Sequence, residues 1–296
     1  MRFKIPLVSF FSGAALGVAG SLLYVSAFSK TTEPRAASVA ALSRFETFGV
    51  ALPTLDAERA VRVYLPRDYT RCEGCRYPVV YFMDGQNVFD AATSYAGEWG
   101  ADEVLDDLLK KHDLAVIAVG IDHGGEARMQ ELSVWENPEF APAKGEAYLA
   151  DVIGTVKPAI DARYRTRPEA ASTTIVGSSM GGLMAHAAVM RHPEVFGRAL
   201  VFSPSYWFSP AIAEETTRSP LKAGQRVYIY MGAAEGDNMM ADAQAMSDRW
   251  KATLPEGADV QFVSVENAKH SEDAWRAALP AALCWSFAPI CQPHKA

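Results

Sequence analysis

The chain has 296 residues, of which 49% are apolar and 21% charged, which is enough for one large hydrophobic core and excludes an intrinsically disordered chain. Its formal net charge is -7, and no block of lysine and arginine occurs anywhere. That argues against a nucleic-acid-binding surface, which needs clustered cations to track phosphates.

Arg2 and Lys4 precede an apolar stretch, and Val25-Ser26-Ala27 looks like a small-residue cleavage site. Residues 1–27 are therefore expected to be a secretory signal peptide. The same stretch carries no charge over residues 5–28, so it is also long enough to serve as an uncleaved N-terminal membrane anchor. Residues 28–44 read as a linker rich in small residues, 45–291 as a single domain and 292–296 as a tail. Either fate of the N-terminus implies export to the periplasm or outside the cell, with an inner-membrane tether if it is not cut. Export permits disulfides, and Cys72, Cys75, Cys284 and Cys291 allow three pairings, of which the local ones, 72 with 75 and 284 with 291, are the simplest. No histidine and cysteine spacing suggests a metal site, and no cofactor motif occurs.

Along the chain, residues 59–65 alternate as an edge strand would, and 77–82 form a short buried strand ending at Met83-Asp84-Gly85. Residues 101–110 carry Val104, Leu105, Leu108 and Leu109 at helical spacing. A strand follows over 114–119. Residues 123–145 have no strong period and read as a long crossing segment, and 147–164 as a helix interrupted near Pro158. Further strands are expected at 173–176, 198–202, 227–231 and 260–265, with a last helix over 272–285. Strands alternating with helical patterns predict an α/β fold with a mostly parallel central sheet and helices on both faces. Ligand sites in such sheets lie beyond the carboxyl ends of the strands.

Gly177-Ser178-Ser179-Met180-Gly181 stands between the strand at 173–176 and a helical stretch at 183–190. A Gly-x-Ser-x-Gly there describes a strained elbow that presents Ser179 as a nucleophile. Of six histidines, His270 sits in a polar loop between the last strand and the last helix, where a general base has reach. His123 follows a strand end and could line a pocket. The carboxylate that would orient His270 is Glu235, with Asp237 as runner-up. The order Ser179, Glu235, His270 is that of α/β-hydrolases. An oxyanion hole would take the amide of Met180 and, from the loop after residue 82, that of Gln86, with Gly85 letting this backbone approach the substrate. Trp207 and Phe208 are candidates for an apolar substrate wall, as are Trp99, Trp135 and Tyr206. Arg128 and Glu131 lie in the segment where a rim would touch substrate.

The run Tyr81-Phe82-Met83-Asp84-Gly85-Gln86-Asn87-Val88-Phe89-Asp90 resembles the oxyanion loop of the esterase family that includes esterase D and the enterochelin-esterase-like hydrolases. The elbow, His192-Pro193-Glu194-Val195-Phe196-Gly197, Phe202-Ser203-Pro204-Ser205-Tyr206-Trp207-Phe208, Gly232-Ala233-Ala234-Glu235 and His270-Ser271-Glu272-Asp273-Ala274-Trp275 resemble the same family. The resemblance covers about residues 45–288. It implies the α/β-hydrolase fold, Ser179, Glu235 and His270 at catalytic positions, and Met180 and Gln86 at oxyanion positions.

The expected chemistry is hydrolysis of carboxylic esters through an acyl-enzyme, with water as acyl acceptor and a small-molecule or carbohydrate-linked ester as substrate. His270 must start neutral, so activity should fall in acid. A siderophore trilactone, feruloyl or acetyl esters of polysaccharide, a thioester, or acyl transfer to another acceptor would use the same machinery. A non-catalytic binding protein of this fold is the remaining reading, and retention of both serine and histidine counts against it.

Overall fold

The computed structural model describes residues 45–288 and 290–291. The expected signal peptide or anchor (1–27), the linker (28–44) and the tail (292–296) lie outside the described residues. Among the described residues no helix is long and apolar enough to cross a membrane.

Eight strands form one sheet: β1 Phe45–Leu52, β2 Ala57–Tyr64, β3 Val79–Met83, β4 Ile117–Ile121, β5 Thr173–Ser178, β6 Arg198–Phe202, β7 Arg226–Gly232 and β8 Asp259–Val265. Their order is β1-β2-β4-β3-β5-β6-β7-β8. β1 and β2 form an antiparallel hairpin, β2 is antiparallel to β4, and every other pairing is parallel. The α-helices are α1 Ala101–His112, α2 Arg128–Glu131, α3 Gly145–Asp151, α4 Lys157–Arg163, α5 Met180–Arg191, α6 Ala211–Arg218, α7 Asp237–Lys251 and α8 Glu272–Ser286. This is the α/β-hydrolase architecture.

The strands' alternation assigns their side chains to two cores. Val79, Tyr81 and Met83 of β3 join Ile175, Ile229 and the apolar residues of α3–α7 on one face. Val80 and Phe82 join Val176, Tyr230 and the apolar residues of α1 and α8 on the other. A strand buried on both faces has no polar side to display, so the parallel strands read as continuous apolar runs. α5 is buried along almost its whole length and shows no amphipathic stripe for the same reason.

Two expectations change. The strand at 59–65 is not at the edge: β2 lies between β1 and β4, and the amphipathic β1 takes the edge. The strand expected at 114–119 starts pairing only at Ile117, because its partner begins after Pro78, which has no N–H to give the ladder. The helix over 147–164 is interrupted near Pro158, as expected. A π-helical turn at Val152–Val156 absorbs the irregularity, and Pro158 sits in the first turn of α4, where a missing N–H costs nothing. The cysteines are joined locally, Cys72 to Cys75 and Cys284 to Cys291.

Candidate active site

Ser179 is the single residue between the end of β5 and the first residue of α5. Its φ of 56° and ψ of -120° are strained for a residue with a side chain, the conformation a nucleophile elbow requires. Gly177 makes the turn possible, since a Cβ there would lie 2.3 Å from the backbone of Gly181. The elbow is tied to the next strand by Ser179 N donating to Phe202 O at 3.0 Å and Ser205 N donating to Ser179 O at 3.1 Å. Ser179 Oγ lies 3.2 Å from Ser205 Oγ, and no described hydrogen bond joins it to His270.

Glu235 ends a short 3-10 turn after β7, and its side chain is wholly buried. Oε1 accepts from Gly232 N at 2.9 Å and from Ser203 Oγ at 2.6 Å. Oε2 lies 2.6 Å from His270 Nδ1. Ser203 in turn accepts from Trp275 Nε1 at 2.9 Å, and the indole meets the His270 ring edge-on at 5.0 Å. The imidazole is thus held by a carboxylate along one edge and by an aromatic ring against its side. Asp237, the runner-up, is exposed at the first turn of α7 and has no described bond to His270.

Met180 is the first residue of α5, so its amide has no acceptor within the helix. Gln86 lies in the 3-10 turn after β3, which Asp84 opens with a φ of 56°. Its side-chain Oε1 accepts from His123 N at 3.3 Å, linking this loop to the end of β4. The close approach at Gly85 is to β4 and not to open space: a Cβ would come 2.5 Å from Gly120 C.

A cavity of about 610 Å³ is lined by Ser179, His270, Asp84, Arg128, His123 and Trp275, among others. Arg128 donates twice to Asp84, both at 2.7 Å. Burial pushes the guanidinium's pKa down, but the bonds and charge of Asp84 outweigh it and leave it raised. A groove of about 620 Å³ between α1 and α8 is lined by neither Ser179 nor His270.

The proposed aromatic wall is elsewhere. Trp207 is exposed, and Phe208 is buried against Phe140, with neither lining the cavity. Trp99 packs on Phe202 and Trp275 in the core. Trp135 donates to Glu215, Tyr206 bonds His186, and Glu131 pairs with Arg59. The residue types gave no role to Ser203, Ser205 or Asp84, yet Ser205 meets Ser179, Ser203 holds Glu235 and Asp84 holds Arg128 on the cavity wall. A positive φ in a non-glycine residue at a strand end marks both Ser203 and Asp84, but backbone angles are not written in the residue types.

The fold, the serine elbow and an acid-paired histidine on the same cavity as the serine define an α/β-hydrolase of the serine-esterase type. Residues 53–286 match the family model described as "Putative esterase", and the chain belongs to that family. It is 29% identical over 186 residues to the uncharacterized protein YbbA of Bacillus subtilis, covering 60% of this chain and 69% of that one. It is 29% identical over 167 residues to the iron(III) salmochelin esterase of Escherichia coli, covering 55% of this chain and 35% of that longer protein. An IroE-like serine hydrolase from Shewanella oneidensis superposes with a TM-score of 0.67 at 20% identity, over 81% of this chain and 78% of that one, a likeness of fold.

Proposed function

We propose that this esterase cleaves small-molecule or carbohydrate-borne carboxylic esters through an acyl-enzyme on Ser179. The observation that carries the reading is that His270, held at 2.6 Å by the buried Glu235, and the strained Ser179 open onto one cavity. In this mechanism Ser179 Oγ turns from Ser205 to His270 Nε2, which takes its proton as the oxygen attacks the ester carbonyl. Catalytic hydrogen bonds of this kind commonly form only once substrate is bound. Glu235 accepts from Nδ1–H, fixes the tautomer and stabilises the imidazolium. The amides of Met180 and Gln86 receive the oxyanion. His270 then protonates the departing alcohol, and water repeats the cycle on the acyl group.

The match to a salmochelin esterase supports siderophore lactones as a substrate class, and the protein is proposed to meet them after export, outside the cytoplasm. A panel of an aryl acetate, an acetylated carbohydrate, a feruloyl ester and a trilactone siderophore tests this. Ser179→Ala should abolish turnover of every substrate the wild type accepts. Turnover that survives this substitution would place the chemistry elsewhere.

A further inference from the structure

Among the cavity-wall side chains that the mechanism does not use are His123, Glu126 and Glu272. Contacts fix what each can offer a ligand. His123 Nδ1 accepts the amide N–H of Gly125 at 2.9 Å. A ring nitrogen that accepts from an amide carries no proton, so the proton of this imidazole sits on Nε2. Burial lowers the ring's pKa against the pull of Asp84, consistent with a neutral imidazole. No described hydrogen bond occupies Nε2.

The guanidinium on this wall, Arg128, is already committed to Asp84 by two hydrogen bonds. Glu126 is exposed and Glu272 half-buried, and neither forms an ion pair with a described cation, although Glu272 is near enough to Arg128 to help raise its pKa. Three carboxylates, those of Asp84, Glu126 and Glu272, therefore share the wall with one guanidinium. His123 thus offers one neutral N–H donor and the two glutamates offer carboxylates that can only accept, beside the neutral polar side chains of Asn87, Tyr95 and Ser178.

We propose that His123, Glu126 and Glu272 form a subsite for an uncharged, hydroxyl-bearing part of the ester, and that the two carboxylates turn away anionic groups. A hydroxyl satisfies both kinds of wall group, accepting from His123 Nε2–H and donating to a carboxylate. An anion can accept from His123 but meets like charge at both glutamates. Sugar hydroxyls and catechol hydroxyls share this chemistry. A ferric catecholate has lost the hydroxyl protons and is anionic, so the metal-free ligand would be the better substrate. This inference rests on the esterase reading and names what that site selects.

The test compares kcat/KM ratios among substrates within each preparation of the full chain, so that the active fraction cancels. The substrates are an uncharged aryl acetate, a sugar acetate, a dihydroxybenzoyl ester, its hydroxyl-free counterpart and a carboxylated counterpart. The hydroxylated esters should exceed the hydroxyl-free one by roughly tenfold, the worth of one or two hydrogen bonds. The carboxylated ester should trail the hydroxyl-free one by about tenfold at low ionic strength, with the gap closing as salt rises. Glu126→Gln/Glu272→Gln should close it without salt. His123→Leu should raise KM for hydroxylated esters alone, and His123→Gln, which keeps an N–H donor, should recover part of the loss. The ratio of sugar acetate to dihydroxybenzoyl ester identifies which hydroxyl source the subsite prefers. Equal handling of neutral and anionic esters by the wild type, or ratios unmoved by the double substitution, overturns the inference while leaving the esterase reading intact. Failure to cleave even the aryl acetate or any other ester overturns both.

Discussion

Glu235 Oε2 and His270 Nδ1 meet at 2.6 Å, although the carboxylate is wholly buried and the imidazole 38% exposed. The pair is anchored from the acid side, because Gly232 N and Ser203 Oγ hold the other carboxylate oxygen. The histidine can move only by leaving its partner.

Replacing the carboxylate by an amide should therefore act on chemistry more than on binding. Glu235→Gln is expected to lower kcat by about 10²–10⁴ with KM little changed, since the tautomer and the imidazolium both lose their support. Asp237→Asn, an exposed change away from the ring, should stay within about twofold of wild type. Steady-state kinetics on an aryl ester separates the two, and a larger effect at Asp237 would reverse the assignment.

Gly177 should not tolerate a methyl group. With a Cβ at 2.3 Å from Gly181 C and O, Gly177→Ala must force β5 away from α5. We expect a loss of about 1–3 kcal/mol in denaturant unfolding together with a fall in kcat, since the same backbone carries Ser179.

Asp84 and Arg128 should be coupled in stability. Asp84 is 8% exposed in its side chain and its charge is matched by Arg128. Arg128→Met leaves it stranded and should cost about 3 kcal/mol. Adding Asp84→Asn to that variant should recover much of the loss, because the uncompensated charge is then gone. A double-mutant cycle by chemical denaturation measures the coupling, and strictly additive losses would rule it out.

His186 should make stability depend on pH. It is buried in α5, stacked on Trp250, bonded to Tyr206 and Thr216, and burial pushes its pKa down to about 3. The unfolded imidazole protonates near 6.5, so below that pH the unfolded state binds a proton that the folded state refuses. This contribution is full above about pH 6.5 and is lost towards pH 3, at about 1.4 kcal/mol per pH unit. His186→Phe should be less stable at neutral pH but show a flatter decline through this window. Parallel curves for the two proteins would exclude His186 as the source.

The elbow was legible because its requirements are local: two glycines, a serine, a strand before and a helix after. The parallel sheet was legible for a related reason, as strands buried on both faces appear as apolar runs separated by helical periods. Glu235 and Asp237 could not be separated in the sequence, since they differ by two residues and their distinction is one of direction, turned into the core or out into α7. Trp207 and Phe208 flank the right strand end, yet the 3-10 turn at Tyr206–Phe208 sends one into solvent and the other into the core. Ser203 and His123 matter through hydrogen bonds to residues 32 and 2 positions away, and only the second lay within reach of a local reading.

The strand order has a consequence for how this protein fails. β8 is the last strand of the sheet, held on one side only by β7, and its end leads into the loop that carries His270. Sheet margins open at lower free energy than sheet centres. Mild denaturant should thus silence the protein by peeling this margin, while the serine, four strands in from that side, still stands on an intact elbow. Loss of turnover would precede loss of ellipticity, and amide hydrogen exchange in β8 compared with β5 would report which part gave way first.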